Sequence, residues 1–163
     1  MKTIYLAGGC FWGVQKFIDQ FEGIISTEVG YANGEKPNPT YEEVCNDSGH
    51  VETVKVNYDE QVINTQELIG YYFMVIDPLS INRQGGDSGI QYRTGIYYVD
   101  ESITADIDKA VEKEAAKFDS PLAVEIMKLN NFYPAEEYHQ KYLDKNPTGY
   151  CHINPAMMNL KKR

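Results

Sequence analysis

Apolar runs and amphipathic stretches follow one another along the first hundred residues at two different periods. Thr3-Ile4-Tyr5-Leu6-Ala7 is a short run of strand formers, after which Phe11, Val14, Phe17, Ile18 and Phe21 recur at helical spacing as far as Gly23. Residues 24–32 read as a second strand that runs into a Gly/Asn/Pro-rich loop at 33–40. Thr40 with Glu43 forms a capping box, so one short helical turn is expected at 40–45. Residues 50–58 alternate and predict a strand. Asn64 with Glu67 marks a helix start whose apolar face is Leu68, Ile69, Tyr72, Phe73 and Ile76, stopped by Asp77-Pro78.

A polar loop at 78–93 precedes a strand at 94–99, a helix at 104–118 and a strand at 123–129. A short helix is expected at 135–143, and an irregular tail from Pro147 onward. Without the short insertions the order is β-α-β-β-α-β, then α and β. That order predicts an α+β fold: a two-layer ferredoxin-like (split βαβ) sandwich with helices on one face, added short helices and an irregular C-terminal tail. The chain has 163 residues, so one domain over 1–163 is expected, with 147–163 as a mobile tail. Fold class alone assigns no activity.

Composition narrows the field. Apolar residues make up 42% of the chain, supplemented by 13 tyrosines that fill space while keeping a hydroxyl available, which suits a polar-lined aromatic cleft. The net charge is −9, and the one basic run is Lys161-Lys162-Arg163, so nucleic acid is not an expected partner. No signal-like or membrane-length apolar run occurs, which predicts a cytoplasmic protein that does not enter a membrane; a monomer is expected. The three cysteines, Cys10, Cys45 and Cys151, match neither a disulfide framework nor a zinc site, and no metal is expected.

Cys10 is the first candidate for chemistry. In Gly8-Gly9-Cys10-Phe11-Trp12-Gly13 it stands where a strand turns into a helix, and the glycines permit the tight turn. Free N–H groups and the macrodipole at a helix start stabilise negative charge, so a lowered thiol pKa is expected. Two large aromatics beside it suggest a reactive sulfur in an aromatic pocket. On strand 50–58, Glu52 shares its face with Val54, Val56 and Tyr58. A carboxyl at a dry end of that face has a raised pKa and serves as a general acid. Periodicity alone slightly favours the other reading, in which Glu52 lies at a frayed strand end and reaches water.

Cys151 follows Pro147-Thr148-Gly149-Tyr150 and is as well suited to be an unpaired tail thiol as to reach an oxidised Cys10. Cys45 resembles a small buried hydrophobe. His50, His139 and His152 have no metal-ligand spacing, so structural or surface roles are their default.

Four ordered segments together resemble the peptide methionine sulfoxide reductases of the A type. They are Gly9-Cys10-Phe11-Trp12-Gly13; Gly30 to Gly34 with Asn38 to Cys45 and Gly49-His50-Val51-Glu52; Asp77-Pro78 with Asn82 to Gly85 and Asp87 to Arg93; and Phe132 to Gln140 with Gly149 to Ile153. The chain departs from the family pattern at Gln15, Ile76 and Gly86, none of which has an assigned chemical role.

The resemblance implies that Cys10 attacks the sulfoxide sulfur and that Phe11 and Trp12 hold the S-methyl group. It implies that Glu52 protonates the oxygen, that Tyr41 and Tyr92 hydrogen-bond it, and that Asp87 positions the substrate. Cys151 matches the resolving cysteine, which gives a Cys10–Cys151 disulfide reopened by thioredoxin or another dithiol. The implied substrate is methionine-S-sulfoxide, in oxidised proteins or free, and the implied chemistry uses no organic cofactor and no metal. Two other classes compete: a different cysteine enzyme, such as a thiol peroxidase or Cys/His hydrolase, and a non-catalytic binding module in which Cys10 only packs.

Overall fold

Strand β1 (Lys2–Gly8) lies between β3 (Val51–Tyr58) and β6 (Thr94–Tyr98), antiparallel to both, and β2 (Ile24–Ala32) pairs with the far side of β3. The spatial order β6-β1-β3-β2 is that of the split βαβ arrangement expected from the element order. The computed structural model describes residues 1–46 and 48–162. Two short strands widen the sheet: β7 (Glu125–Lys128) runs parallel to β6, and β8 (Phe132–Pro134) pairs antiparallel with β2.

Period-two alternation gives the sheet two faces. Ile4, Leu6, Val54, Val56 and Ile96 point into the main core, against helices α1 (Phe11–Asp19) and α3 (Thr65–Phe73). Phe17, Ile18, Leu68 and Ile69 are fully buried there. Each such side chain contributes roughly 1.5–3 kcal/mol relative to an exposed position. The other face carries a smaller cluster, Tyr5, Ala7, Ala32, Val51 and Tyr97, covered by Met127, Leu129 and Phe132. Helix α4 (Thr104–Ala115) packs against α3.

Both capping boxes form: Thr40 starts α2 (Tyr41–Cys45) and Asn64 starts α3. Elsewhere the boundaries differ from the sequence pattern. Helix α3 ends three residues before Ile76, which continues the apolar face from a turn. Residues 78–93 contain a ribbon of β4 (Arg83–Gln84) and β5 (Asp87–Ser88), joined through Gly85 at φ +58°. Strands of two residues have no readable period. The tail closes in a 3₁₀ segment, Pro155–Lys162.

The helix expected at 135–143 is two pieces, a 3₁₀ turn at Glu137–His139 and α5 (Tyr142–Lys145). Between them Lys141 is left-handed at φ +55°. A tertiary contact holds it there. The Lys141 N–H donates to Gln15 Oε1 at 2.8 Å, and Lys141 Nζ reaches Asp19 Oδ2 at 2.5 Å. Gln15 is itself buried, its amide donating to Thr27 Oγ1 at 3.2 Å, so α1 is tied to β2 and to the segment after β8 by one side chain. Gln15→Ala leaves the Lys141 N–H unpaired and is expected to cost about 1–3 kcal/mol in denaturant unfolding, where an unchanged midpoint contradicts this anchoring.

Candidate active site

Strand β1 delivers the chain to a turn at Gly9, whose φ of +86° favours glycine, and Cys10 then caps the start of α1. The thiol is free and 7% exposed. No side-chain cap bond is made by Cys10, so the first amides of α1 need another acceptor. Glu52 supplies it. Its Oε1 accepts the Phe11 N–H at 3.2 Å, while Oε2 has no hydrogen-bond partner. The carboxyl is 1% exposed, so the end of β3 is dry and does not fray.

Burial pushes the Glu52 carboxyl up to about 8; the Phe11 N–H opposes this and the Asp87 charge adds to it. At neutral pH Glu52 therefore carries a proton. The thiol behaves differently from the sequence expectation of a lowered pKa. Burial raises Cys10 well above the ordinary thiol range and the Glu52 charge raises it further, and the Trp12 N–H is too weak an opposing influence. The helix start is present, but desolvation and a neighbouring carboxyl outweigh it. The resting site holds a neutral thiol beside a neutral carboxyl.

The aromatic surroundings come from four directions. Phe11 is fully buried, its ring 5.7 Å from Tyr31 and 5.3 Å from the His139 imidazole. Trp12 is half-buried and stacks on Tyr142 at 3.8 Å and 11°. Its Nε1–H donates to His139 Nδ1 at 3.0 Å. Tyr41 opens α2 with its ring 4.7 Å from His139, and its backbone N–H donates to Glu136 Oε2 at 3.0 Å. Glu136 Oε1 also accepts the Tyr31 hydroxyl at 2.7 Å. Tyr92 ends the 3₁₀ turn Ile90–Tyr92, and its phenol interacts with that of Tyr41. Burial, and next the Glu52 charge, raise both phenols, so both remain donors near neutral pH.

The C-terminal segment is docked on this cluster. Tyr150 donates its hydroxyl to Asp87 Oδ2 at 3.0 Å, and His152 Nε2 bonds the Gly8 carbonyl at 3.0 Å. Between these anchors Cys151 lies against the first turn of α1. A Cβ on Gly13 would stand 3.0 Å from Cys151 Sγ, so this glycine leaves room for the sulfur. The Cys151 thiol donates to the Ile153 carbonyl at 3.6 Å, and burial raises its pKa. Beyond it opens a cleft of about 340 Å³ lined by Lys16, Leu143, Cys151, Ile153 and Met158, among others.

Cys10, Tyr41, Glu52, the pair Asp87 and Tyr92, and Cys151 thus come from five separate stretches of chain into one cluster, with Phe11 and Trp12 on its aromatic side. Cys45 does not fit the sequence reading. It is exposed, because α2 turns Val44 inward and leaves the next residue on the outer side. His139, Glu136 and Tyr142 were missed as site residues, since each acts through neighbours distant in sequence. The Glu136-Glu137-Tyr138-His139 run carried no period to mark it. Among the described residues no group of three or more His, Cys, Asp or Glu side chains could hold a metal ion.

The chain is similar to known proteins over nearly its whole length. Residues 2–163 match the family described as peptide methionine sulfoxide reductase. A relative from Lachnoclostridium phytofermentans, peptide methionine sulfoxide reductase MsrA, is 56% identical over 99% of this chain and 98% of its own length. The reduced form of Mxr1 from Saccharomyces cerevisiae superposes with a TM-score of 0.88 at 38% identity, covering 94% of this chain and 91% of that one. Mxr1 in complex with Trx2 matches at TM-score 0.61 and 26% identity, over 86% of this chain and 84% of that one.

The raised Glu52 pKa carries a stability signature. The unfolded carboxyl ionises near pH ~4.3. The native one stays protonated to about 8. Over that window the unfolded state binds fewer protons, so native stability falls as pH rises. Glu52→Gln retains an acceptor for the Phe11 N–H and removes this loss. The Tm advantage of the variant is expected to be small at pH 4 and to grow to at least about 2 °C by pH 8 in calorimetry, and parallel profiles contradict the assignment.

Proposed function

The chain belongs to the peptide methionine sulfoxide reductases, and we propose that it carries out their reaction at the cluster around Cys10. The observation that carries this placement is the buried Glu52 carboxyl, protonated near neutrality and bonded to the amide next to the nucleophile. A sulfoxide oxygen is a poor leaving group and needs a proton. Most carboxyls could not supply one at pH 7, and this one can.

In the proposed reaction the Cys10 sulfur attacks the sulfoxide sulfur while Glu52 gives its proton to the oxygen. The Cys10 thiol proton replaces the one Glu52 lost, so the acid ends as it began. The attack forms an S–S bond to the substrate; the substrate S–O bond then breaks, its hydroxyl passes to the Cys10 sulfur, and the S–S bond breaks in turn. Methionine is released, reduced by two electrons, and Cys10 is oxidised by two to the sulfenic acid. Tyr41 and Tyr92 donate to the developing negative charge on oxygen, Phe11 and Trp12 form the wall for the S-methyl group, and Asp87 positions the rest of the substrate. The S epimer is the substrate, in proteins or as the free amino acid. Tyr150 competes for Asp87 in the docked arrangement, so binding displaces or shares that contact.

Cys151 resolves the intermediate in this reading. Its thiol attacks the Cys10 sulfur, the S–O bond breaks, the thiol proton joins the departing hydroxide as water, and a Cys10–Cys151 disulfide forms. The described part of the tail, residues 147–162, is the part that moves. A thioredoxin then reduces the disulfide; the relative crystallised with Trx2 supports this, and the cleft beside Cys151 offers a route of approach. The three free cysteines are compatible with a reducing, cytoplasmic setting and the chain acts as a monomer. No organic cofactor takes part. Among the described residues no helix is long and apolar enough to cross a membrane.

Cys10→Ser is expected to abolish reduction of a methionine sulfoxide peptide, and retained turnover overturns the proposal. Single-turnover rates of the parent should fall about tenfold per pH unit above 8. Glu52→Gln should lower the rate by about 10²–10⁴ and remove that limb. A rate independent of Glu52 assigns the proton to another group.

Resolution has its own test. Cys151→Ser should give one equivalent of methionine and no recycling with thioredoxin. In Gly13→Ala the added methyl crowds Cys151 Sγ, so disulfide formation after the burst should slow at least about tenfold. Normal rates in both variants remove Cys151 from the cycle.

A further inference from the structure

His152, the residue after Cys151, takes part in no step of the reaction as written, yet its imidazole is plugged into the turn that carries Cys10. Three glycines make the socket. A Cβ on Gly9 would stand 3.1 Å from His152 Nε2, one on Gly85 3.2 Å from its Cβ, and one on Gly13 3.6 Å from its Cε1. Gln84 Cβ lies 2.7 Å from the same point beside Gly9 and closes that side. Gln84 is buried, and its side-chain amide bonds both the N–H and the carbonyl of Asp77, at 2.8 and 2.9 Å. Backbone and one tethered side chain therefore shape the socket.

The bond inside it is directional. A carbonyl oxygen only accepts, so His152 Nε2 carries the proton that it donates to Gly8 at 3.0 Å. Burial lowers the His152 pKa, opposed by the Asp87 charge and the Gly8 carbonyl, so the ring is neutral near pH 7 and Nδ1 bears no proton. Nδ1 is buried and has no partner among the described residues. An apolar side chain would fill the same space without that cost, so what the imidazole adds is the Nε2 bond.

These contacts bracket the nucleophile. Gly8 and Gly9 precede Cys10, and Gly13 follows it by three, on the same side of the first helical turn. Cys151 Sγ, His152 Cε1 and Ile153 Cδ1 lie 3.0, 3.6 and 3.2 Å from the Cβ position of Gly13. Cys151 and Ile153 pack there as apolar groups, a contact that tolerates sliding. His152 adds the polar bond that fixes the register of the tail against the end of β1.

We propose that His152 is the positioning residue for resolution: seated among Gly9, Gly13 and Gly85 and bonded to the Gly8 carbonyl, it returns Cys151 to the flank of Cys10 after each reduction. This rests on the reading of Cys151 as the resolving thiol. The Cys151 sulfur attacks the Cys10 sulfenic sulfur, the S–S bond forms, the S–O bond breaks, and the Cys151 proton leaves with the hydroxide as water. No outside oxidant or reductant enters. An intramolecular attack gains from the time the thiol spends in place. His152 therefore acts on disulfide formation, whereas sulfoxide reduction is the work of Cys10 and Glu52.

The test follows a single turnover of reduced enzyme with a methionine sulfoxide peptide and no thioredoxin. Parent and variants carry Cys45→Ser, so that free-thiol counts report only Cys10 and Cys151. Methionine release, sulfenic acid captured by dimedone, and loss of the second thiol are read separately. His152→Ala should release methionine within about twofold of the parental rate, form the disulfide roughly threefold to tenfold more slowly, and accumulate the sulfenic acid. His152→Gln offers an N–H donor at similar reach and should recover most of the lost rate. In a Cys10→Ser, Cys45→Ser background, His152→Ala should speed alkylation of Cys151 by a similar factor, because the tail undocks more often. Disulfide formation at the parental rate in His152→Ala overturns the proposal, and a faster rate does so by marking the bond as a restraint. Equal slowing in His152→Ala and His152→Gln removes the role of the Nε2 donor, and so does alkylation that ignores His152→Ala. Normal recycling of Cys151→Ser with thioredoxin instead removes the reading on which the proposal rests.

Discussion

A carboxyl group with no access to water, bonded to the first amide of α1, is the constraint around which this site is built. A charged Glu52 in that position would cost several kcal/mol, since among the described residues one oxygen has no partner and no cation faces it. The protein avoids the cost by keeping the proton. That proton makes Glu52 an acid at neutral pH, and the same burial keeps Cys10 a neutral thiol. A dry cavity tolerates two neutral groups far better than a thiolate beside a carboxylate. In the proposed reaction the reactive state is reached when a polar sulfoxide enters.

The fold serves this arrangement by simple means. Antiparallel pairing of β1 with β3 sets Leu6 opposite Val54, so the end of β1 and residue 52 arrive side by side. The turn at Gly9 then aims the start of α1 at Glu52. The pocket wall depends on a longer route. Gln15 holds the Lys141 backbone, and the segment around it carries His139 and Tyr142 onto Trp12. The docked tail adds Cys151 beside the first turn, where a glycine, Gly13, makes room for its sulfur.

Much of this was legible in the chain because it is local and periodic. The β-α-β-β-α-β order, both capping boxes and the apolar face that bears Glu52 follow from spacing at 2.0 and 3.6 residues. Resemblance supplied Tyr41, Tyr92, Asp87 and the resolving role of Cys151. Contacts between distant residues were not legible. Trp12 and His139 are 127 positions apart, and Tyr150 and Asp87 are 63 apart. The thiol pKa shows the same limit. The helix start at Cys10 can be read from sequence, whereas the burial and the facing carboxyl that reverse its effect exist only in the folded chain.

The central claim is that Glu52 holds a proton at neutral pH, and carboxyl-carbon NMR of ¹³C-glutamate-labelled protein reads this directly. The resonance absent from Glu52→Gln identifies the residue. The account predicts that it stays at the protonated position through pH 7 and titrates near 8. A midpoint between 4 and 5, the ordinary range for glutamate, contradicts it.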